Sequence, residues 1–302
     1  YDLVTEGEPR MAFRDAYYTR GTTESLISVR RHYKTGSIGG IMQGARWGSW
    51  GVTKEYFDMF PMADGTDFDW NNEEHAKHPV ANRDPRLCET ILLDGDRFGS
   101  GVSAIHREYS KDKANYPKGE HYNNKNVSLD DKGLTTNGLT ARKFLLDRQG
   151  EWNGRVIQWP LLRLAEVYLS YAEALNEKGN TGEAFTYINE VRKRAYTNKD
   201  NTLNPGWELK GLSQSELRTA ILKERALELC FEGHRKFDLS RTGTLEAAIK
   251  GVTHLDDIEF LFSEAYYPKE AARNVHSWHR LFGVPTSEIT LNSNLLPQNE
   301  GY

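Results

Sequence analysis

Cysteine is scarce: the 302 residues contain two, Cys88 and Cys230. One bridge is the most they can form, so a disulfide framework is excluded as the source of stability. Cys230, between Leu229 and Phe231 in a helical pattern, reads as a buried free thiol. Long apolar runs are missing too. No stretch of 18 apolar residues exists, and the most apolar segment, 161–175, is broken by Arg163, Glu166 and Glu173, so nothing reads as a spanning helix. Nor is there an excess of positive charge. The 39 basic and 43 acidic residues give a formal net charge of -4, and neither half is strongly basic, which argues against nucleic acid as a partner. The chain opens at Tyr1 with no Met, no basic n-region and no apolar h-region; the expectation is that something N-terminal has been removed or left out.

What is present describes a polar but folded chain. Mean hydropathy is -0.70, yet seven Trp, fifteen Tyr and twelve Phe are far more than a disordered chain carries. The length suits one large domain or two small ones. Composition changes near residue 150. Residues 1–150 are rich in Gly, Asp, Asn and Tyr, and Gly36, Gly39, Gly40, Gly44, Gly48 and Gly51 punctuate one stretch around Trp47 and Trp50. This half reads as loops with short helices and small strands.

Residues 151–302 are more periodic. From Pro160 the chain reads as a helix with Leu161, Ala165, Tyr168, Ala172 and Leu175 on one stripe, stopped by Gly179. Thr181 is placed to cap the next helix, whose stripe is Ala184, Ile188, Val191 and Ala195. The pair makes an antiparallel hairpin like a tetratricopeptide unit, and one such unit needs helical neighbours to bury its faces. A third helix starts at Ser213, which forms a capping-box pattern with Glu216, and carries Leu217, Ala220, Ile221, Leu227 and Phe231 on its stripe up to Gly233.

Glu224 and Glu228 fall in the middle of that apolar stripe, and Arg225, His234, Arg235, Asp238 and Arg241 follow closely. Buried carboxylates are costly unless paired. Two readings stand: a catalytic carboxylate pair with His234 as acid or base, and a buried ion-pair network formed by Glu224, Arg225, Glu228, His234, Arg235 and Asp238 that locks the helices. No nucleophile accompanies the cluster, which favours the network. Glu232-Gly233-His234 lacks the spacing of a zinc site.

The segment 217–243, LRTAILKERALELCFEGHRKFDLSRTG, resembles the most distinctive signature of the SusD/RagB family, an ERxxEL core followed by FEGHRxxDL. RLAEVYLSYAEALNEKG (163–179) and YINEVRKRA (187–195) resemble the helices before it, and FPMADG (60–65) and NRDPRL (82–87) resemble two upstream landmarks. VPTSEITLNSNLLPQNEGY (284–302) is similar to the family's terminal tail. The matches run in the family's order from about residue 57 to the end, whereas the family's longer N-terminal portion, with its lipoprotein signal and further helices, has no counterpart here.

The resemblance implies a mainly α fold of tetratricopeptide-like helical hairpins with a large loop-rich irregular subdomain, divided here as residues 1–150 and 151–302. It implies a non-enzymatic glycan-binding protein on the cell surface of the outer membrane, attached only through a lipid anchor outside this chain. Such a protein captures an oligosaccharide or polysaccharide and delivers it to a SusC-type TonB-dependent transporter. The residues agree in chemistry. Sugars are bound by aromatic faces with amides, carboxylates and Arg around them, and both Arg46, Trp47 and Trp50 and the stretch holding Asp67, Asp69, Trp70 and Asn71 have that composition. A loop Trp also serves as a packing anchor, and that reading stands beside the first. No cofactor motif is present. Asp67, Asp69 and Asn71 alternate like the start of a calcium loop, although the pattern lapses at Asn72 and His78, so Ca2+ is the one ion left open. Arg83 and Arg86 flanking Asp84-Pro85 read as a turn held by an Asp–Arg pair; a phosphate site is the lesser reading, since no Gly-rich helix N-terminus accompanies them. The rival functions are a tetratricopeptide-type protein-interaction scaffold and a helical glycoside hydrolase using Glu224 and Glu228.

Overall fold

The computed structural model describes residues 1–6, 9–30, 51–92, 140–144, 158–198, 200–250 and 276–302. The first helix, α1 (Pro9–Tyr18), buries Ala12, Phe13, Ala16 and Tyr17 on one face. The chain then returns as β1 (Ser25–Arg30), which pairs antiparallel with β4 (Gln158–Arg163) from Ser25 opposite Arg163 to Arg30 opposite Gln158. α1 packs on β4.

Here the sequence expectation is corrected. The segment from Pro160 to Arg163 is strand, and the helix begins only at Leu164. Proline offers no N–H to a helix and disfavours helical backbone for Trp159 before it. Leu161 therefore leaves the predicted stripe and is 52% exposed on the ribbon.

α5 (Leu164–Glu177) and α6 (Thr181–Tyr196) form the predicted hairpin. Gly179, at φ +85, makes the left-handed turn that lets Asn180 N–H reach Leu175 O at 2.9 Å. Asn180, not Thr181, occupies the cap position; Thr181 is the first helical residue, and its hydroxyl goes back to Asn176. Ala165, Leu169, Ala172 and Leu175 meet Ala184, Ile188 and Val191 in one cluster. Leu217 and Ile221 of α7 (Gln214–Glu228) close it. Each such buried Leu or Ile contributes roughly 1.5–3 kcal/mol.

α7 starts with the expected capping box, Ser213 and Glu216 bonding to each other's backbone. It stops at Glu228, earlier than its stripe suggests. The chain turns through Phe231 (φ +57) and Gly233 (φ +96), which leaves Phe231 part-exposed, and a new helix α8 (Arg235–Arg241) follows, then α9 (Leu245–Lys250).

A second core lies under three short helices, α2 (Lys54–Asp58), α3 (Glu73–Lys77) and α4 (Leu87–Thr90), and the small ribbon of β2 (Ile91–Leu92) and β3 (Thr140–Ala141). Val52, Phe57, Phe60, Val80, Leu87, Ile91 and Ala141 pack with Leu227 of α7, and Tyr56 donates its hydroxyl hydrogen to Ala226 O at 2.9 Å. Packing thus runs across residue 150. The tail carries α10 (Thr286–Leu291) and folds back so that Tyr302 donates to Leu281 O at 3.0 Å. Among the described residues no helix is long and apolar enough to cross a membrane.

Candidate functional site

Where α7 ends against β4 and α6, ten buried charged side chains meet. Glu224 accepts from Arg86 at 2.5 Å and from Arg192 at 2.8 Å. One turn on, Glu228 accepts from Arg163 at 2.6 Å, from Arg86 at 3.1 Å and from Arg194. The turn after α7 swings Glu232 inward, where Arg163 binds both its oxygens at 2.8 Å and Lys143 reaches it at 2.5 Å. Glu24, just before β1, takes Arg163 at 2.8 Å and Arg194 at 2.6 Å, and Asp84 takes Arg86 at 2.7 Å. Five carboxylates (Glu24, Asp84, Glu224, Glu228, Glu232) thus balance five cations (Arg86, Lys143, Arg163, Arg192, Arg194), all buried.

Burial alone would raise the carboxylates, but the surrounding cations prevail. Glu228 is held well below the usual carboxylate range by Arg194, Arg163, Arg86 and Lys143, and Glu232 is lowered by Arg163 and Lys143. Asp84 is lowered by Arg86, likewise against burial. Burial pulls the other way at the guanidiniums too, yet Arg86 and Arg163 are raised by the acids facing them. Burial lowers Lys143, with Glu232 opposing. A general acid needs a raised carboxyl; Glu228 is the reverse, and with Glu224 at 1% exposure and Glu228 at 0% neither reaches a substrate. The reading of these two as a catalytic pair is thereby corrected. Their chemistry here is positional: they clamp α7 to α6, β4 and the Asp84–Arg86 turn.

The remaining sequence-predicted members stand apart from this centre. Arg225 pairs with Asp238 at 2.9 Å and donates to Ser170. Asp238 also takes Arg241, which holds Glu173. His234 Nδ1 lies 3.5 Å from Glu166, whose carboxyl is raised chiefly by burial while His234 and Arg225 oppose. Arg235 is half-buried and lowered by burial; it makes no hydrogen bond or ion pair among the described residues. Sequence reasoning missed Glu24, Lys143, Arg163, Arg192, Arg194 and Glu232. The one local signal was a charge set beside fully buried apolar neighbours, as Arg192 follows Val191.

Near this centre, residues 64–77 form a turn-rich surface built on the second core. Asp64 accepts from both the N–H and the hydroxyl of Thr66, Asp69 accepts from the N–H and the amide of Asn71, and Asn72 caps α3. Trp70 is half-buried: its indole N–H donates to Asp58 at 2.9 Å, and its ring meets Phe68 edge-on and Phe57 in a stack. Phe68 in turn lies under the Arg83 guanidinium, 3.9 Å away, and Arg83 donates to the carbonyls of Phe57, Phe60 and Pro79. Asp67 and Asn71 are exposed, and Asp67 pairs with Lys223 of α7 at 2.7 Å. Gly65 and Gly206 cross so closely that a Cβ on Gly206 would lie 2.2 Å from Gly65 N.

Asp67 and Asp69 are thus turned to different partners, and among the described residues no group of three His, Cys, Asp or Glu side chains is placed to hold a metal ion. Arg46, Trp47, Trp50 and Trp152 lie outside the described residues. Of the other tryptophans, Trp159 stacks on Phe144 at 4.6 Å and Trp278 lies against Gly301 and Tyr302.

With the hairpin, the turn after α7 and the tail described, the model of the SusD family matches residues 11–302. The chain belongs to the SusD family. SusD-like protein P25 of Formosa agariphila is 30% identical over 226 residues, which are 72% of this chain and 38% of that protein. Starch-binding protein SusD of Bacteroides thetaiotaomicron is 34% identical over 146 residues, 47% of this chain and 21% of that protein. A SusD-like protein from Bacteroides fragilis superposes with a TM-score of 0.71 at 23% identity, over 100% of this chain and 59% of its own. A SusD-like carbohydrate-binding protein from the same species superposes with a TM-score of 0.63 at 21% identity, over 95% of this chain and 60% of its own. This SusD-family chain therefore spans only part of the length of the relatives it matches.

Proposed function

We propose that this SusD-family chain is part of a cell-surface glycan-binding protein. On this reading it is held at the outer membrane by a lipid anchor. It captures an oligosaccharide or polysaccharide without cleaving it, and hands it to a SusC-type TonB-dependent transporter. The observation that carries the reading is the family match over residues 11–302, joined to the 34% identity with a protein named for binding starch. The surface chemistry supports it: Asp67 and Asn71 offer polar groups to sugar hydroxyls beside the partly exposed Trp70 ring. Arg46, Trp47 and Trp50 are proposed as further contacts on composition. The enclosure of Glu224 and Glu228 supports capture over hydrolysis.

The test is affinity electrophoresis of the chain against a panel of neutral and acidic polysaccharides, with a reducing-sugar assay on every hit. Retardation without release of reducing ends is expected. Release of reducing ends, or no retardation on any polysaccharide, overturns the reading. One observation favours the scaffold reading in its place: Val167 and Tyr171 lie exposed one turn apart on α5. Silence on the glycan panel with capture of a defined amphipathic helical peptide would establish it.

A further inference from the structure

An open groove of about 510 Å³ lies where α7, α8 and α9 meet the end of α2. Its size is that of small-ligand sites, about 300–1,000 Å³. Met59, Leu222 and Leu239 supply apolar wall, and Thr242 and Thr244 also line it. Thr242 donates its hydroxyl hydrogen to Asp238 O at 2.7 Å, and the two threonine hydroxyls lie 2.8 Å apart. With Thr242's hydrogen spent on Asp238, the hydrogen between the two comes from Thr244, so what both hydroxyls still offer is lone pairs. Arg235 lines the same groove, and so do Asp238 and Lys223. The Asp238 charge acts on Arg235, but its two oxygens are taken by Arg225 and Arg241, and Lys223 is taken by Asp67. Arg235 itself has no hydrogen-bond or ion-pair partner among the described residues. Its half-desolvated planar fork therefore keeps donors free that suit a carboxylate or sulfate.

We infer that this groove binds an anionic saccharide, a sugar ring bearing a carboxylate or sulfate, with Arg235 on the anion, the threonine oxygens accepting from ring hydroxyls, and the apolar wall against the C–H face. The assignment rests on the glycan-binding reading above and deepens it to an acidic substrate class. The groove adjoins the acidic turn through the Lys223–Asp67 pair, so a longer chain reaches both.

The test is calorimetric binding of three probes to the full chain: an oligogalacturonate, its carboxyl-reduced neutral counterpart and a sulfated galactan oligosaccharide. At least one acidic probe is expected to bind about tenfold or more tighter than the neutral one. Arg235→Met should abolish that difference, and Arg235→Lys should keep part of it. Ala247→Trp, which fills the groove from α9 and leaves the Arg235 side chain in the protein, should lower acidic-probe affinity as well and serves if Arg235→Met misfolds. Equal binding of acidic and neutral probes, or acidic binding indifferent to both Arg235→Met and Ala247→Trp, overturns the groove while leaving glycan binding in place. Failure of every probe together with every polysaccharide of the earlier panel overturns both.

Discussion

Arg163 Nη1 lies 2.6 Å from Glu228 Oε1, tying the last residue of β4 to the last residue of α7. The same guanidinium holds Glu24 and Glu232. Removing Glu228 leaves Arg163, Arg194 and Arg86 short of an acid in a place that water does not reach. Glu228→Ala is expected to cost about 3 kcal/mol. Urea titration of variant and parent checks this; an unchanged midpoint would contradict the burial of the pair.

The same carboxylates set an acid limit. Asp84, Glu228 and Glu232 have folded-state values below ordinary ones because their Arg and Lys partners outweigh burial. Unfolded chains titrate at about 3.9 for Asp and 4.3 for Glu, so below that range the unfolded state takes up protons the folded state refuses. Stability should be full above about pH 5 and fall as pH drops through about 4 toward the folded-state values. Glu166, raised by burial, acts in the opposite sense and blunts the slope. Thermal melts from pH 3 to 7 should therefore fall on the acid side, and a flat profile would show that the network is not formed.

At the surface, Asp67→Ala removes an exposed partner of Lys223 and should leave stability within about 0.5 kcal/mol. On the proposed function it should weaken glycan binding by about two- to tenfold, the value of one hydrogen bond. Trp70→Ala differs, because the ring packs on Phe57 and Phe68; about 2 kcal/mol or more of stability should go with it. Measuring Tm beside affinity separates a contact from an anchor.

Gly206→Ala places a methyl group on the Gly65 backbone. Neither backbone can yield without moving the turn that carries Asp67 and Trp70, so a loss of about 1–3 kcal/mol is expected. An undiminished Tm would mean that the two backbones are not in contact at this crossing.

Burial pushes the Cys230 thiol up to about 12. At pH 8 roughly one molecule in ten thousand carries the thiolate. Alkylation of Cys230 should be negligible in the folded chain and complete in urea; mass spectrometry after tryptic digestion reads both.

The signals that were readable in the sequence are local ones. Gly179 between two stripes marks the hairpin, and Ser213 with Glu216 marks the start of α7, because turns and caps are decided within four residues. Residues 160–163 of β4 look helical in the sequence because their partner strand lies in a distant part of the chain and Leu161 fits a helical stripe equally well. Glu224 and Glu228 stood out by falling on an apolar face. Their partners did not: Arg86 is 138 residues from Glu224, and by itself each arginine looks like an ordinary surface charge. Glu232 was hidden by the early end of α7, which depends on the left-handed turn at Phe231 and Gly233.

The balance of five acids and five bases also bears on how the chain comes apart. Its members come from α6, α7 and the turn after it, the end of β4, the residues just past β3, and the turns before β1 and α4. No one of these segments can leave alone without exposing an unmatched charge in a dry interior. The interior should therefore open as a single cooperative unit. Amide protons of α6 and α7 should exchange together, at the global rate, while the ends of the chain exchange first.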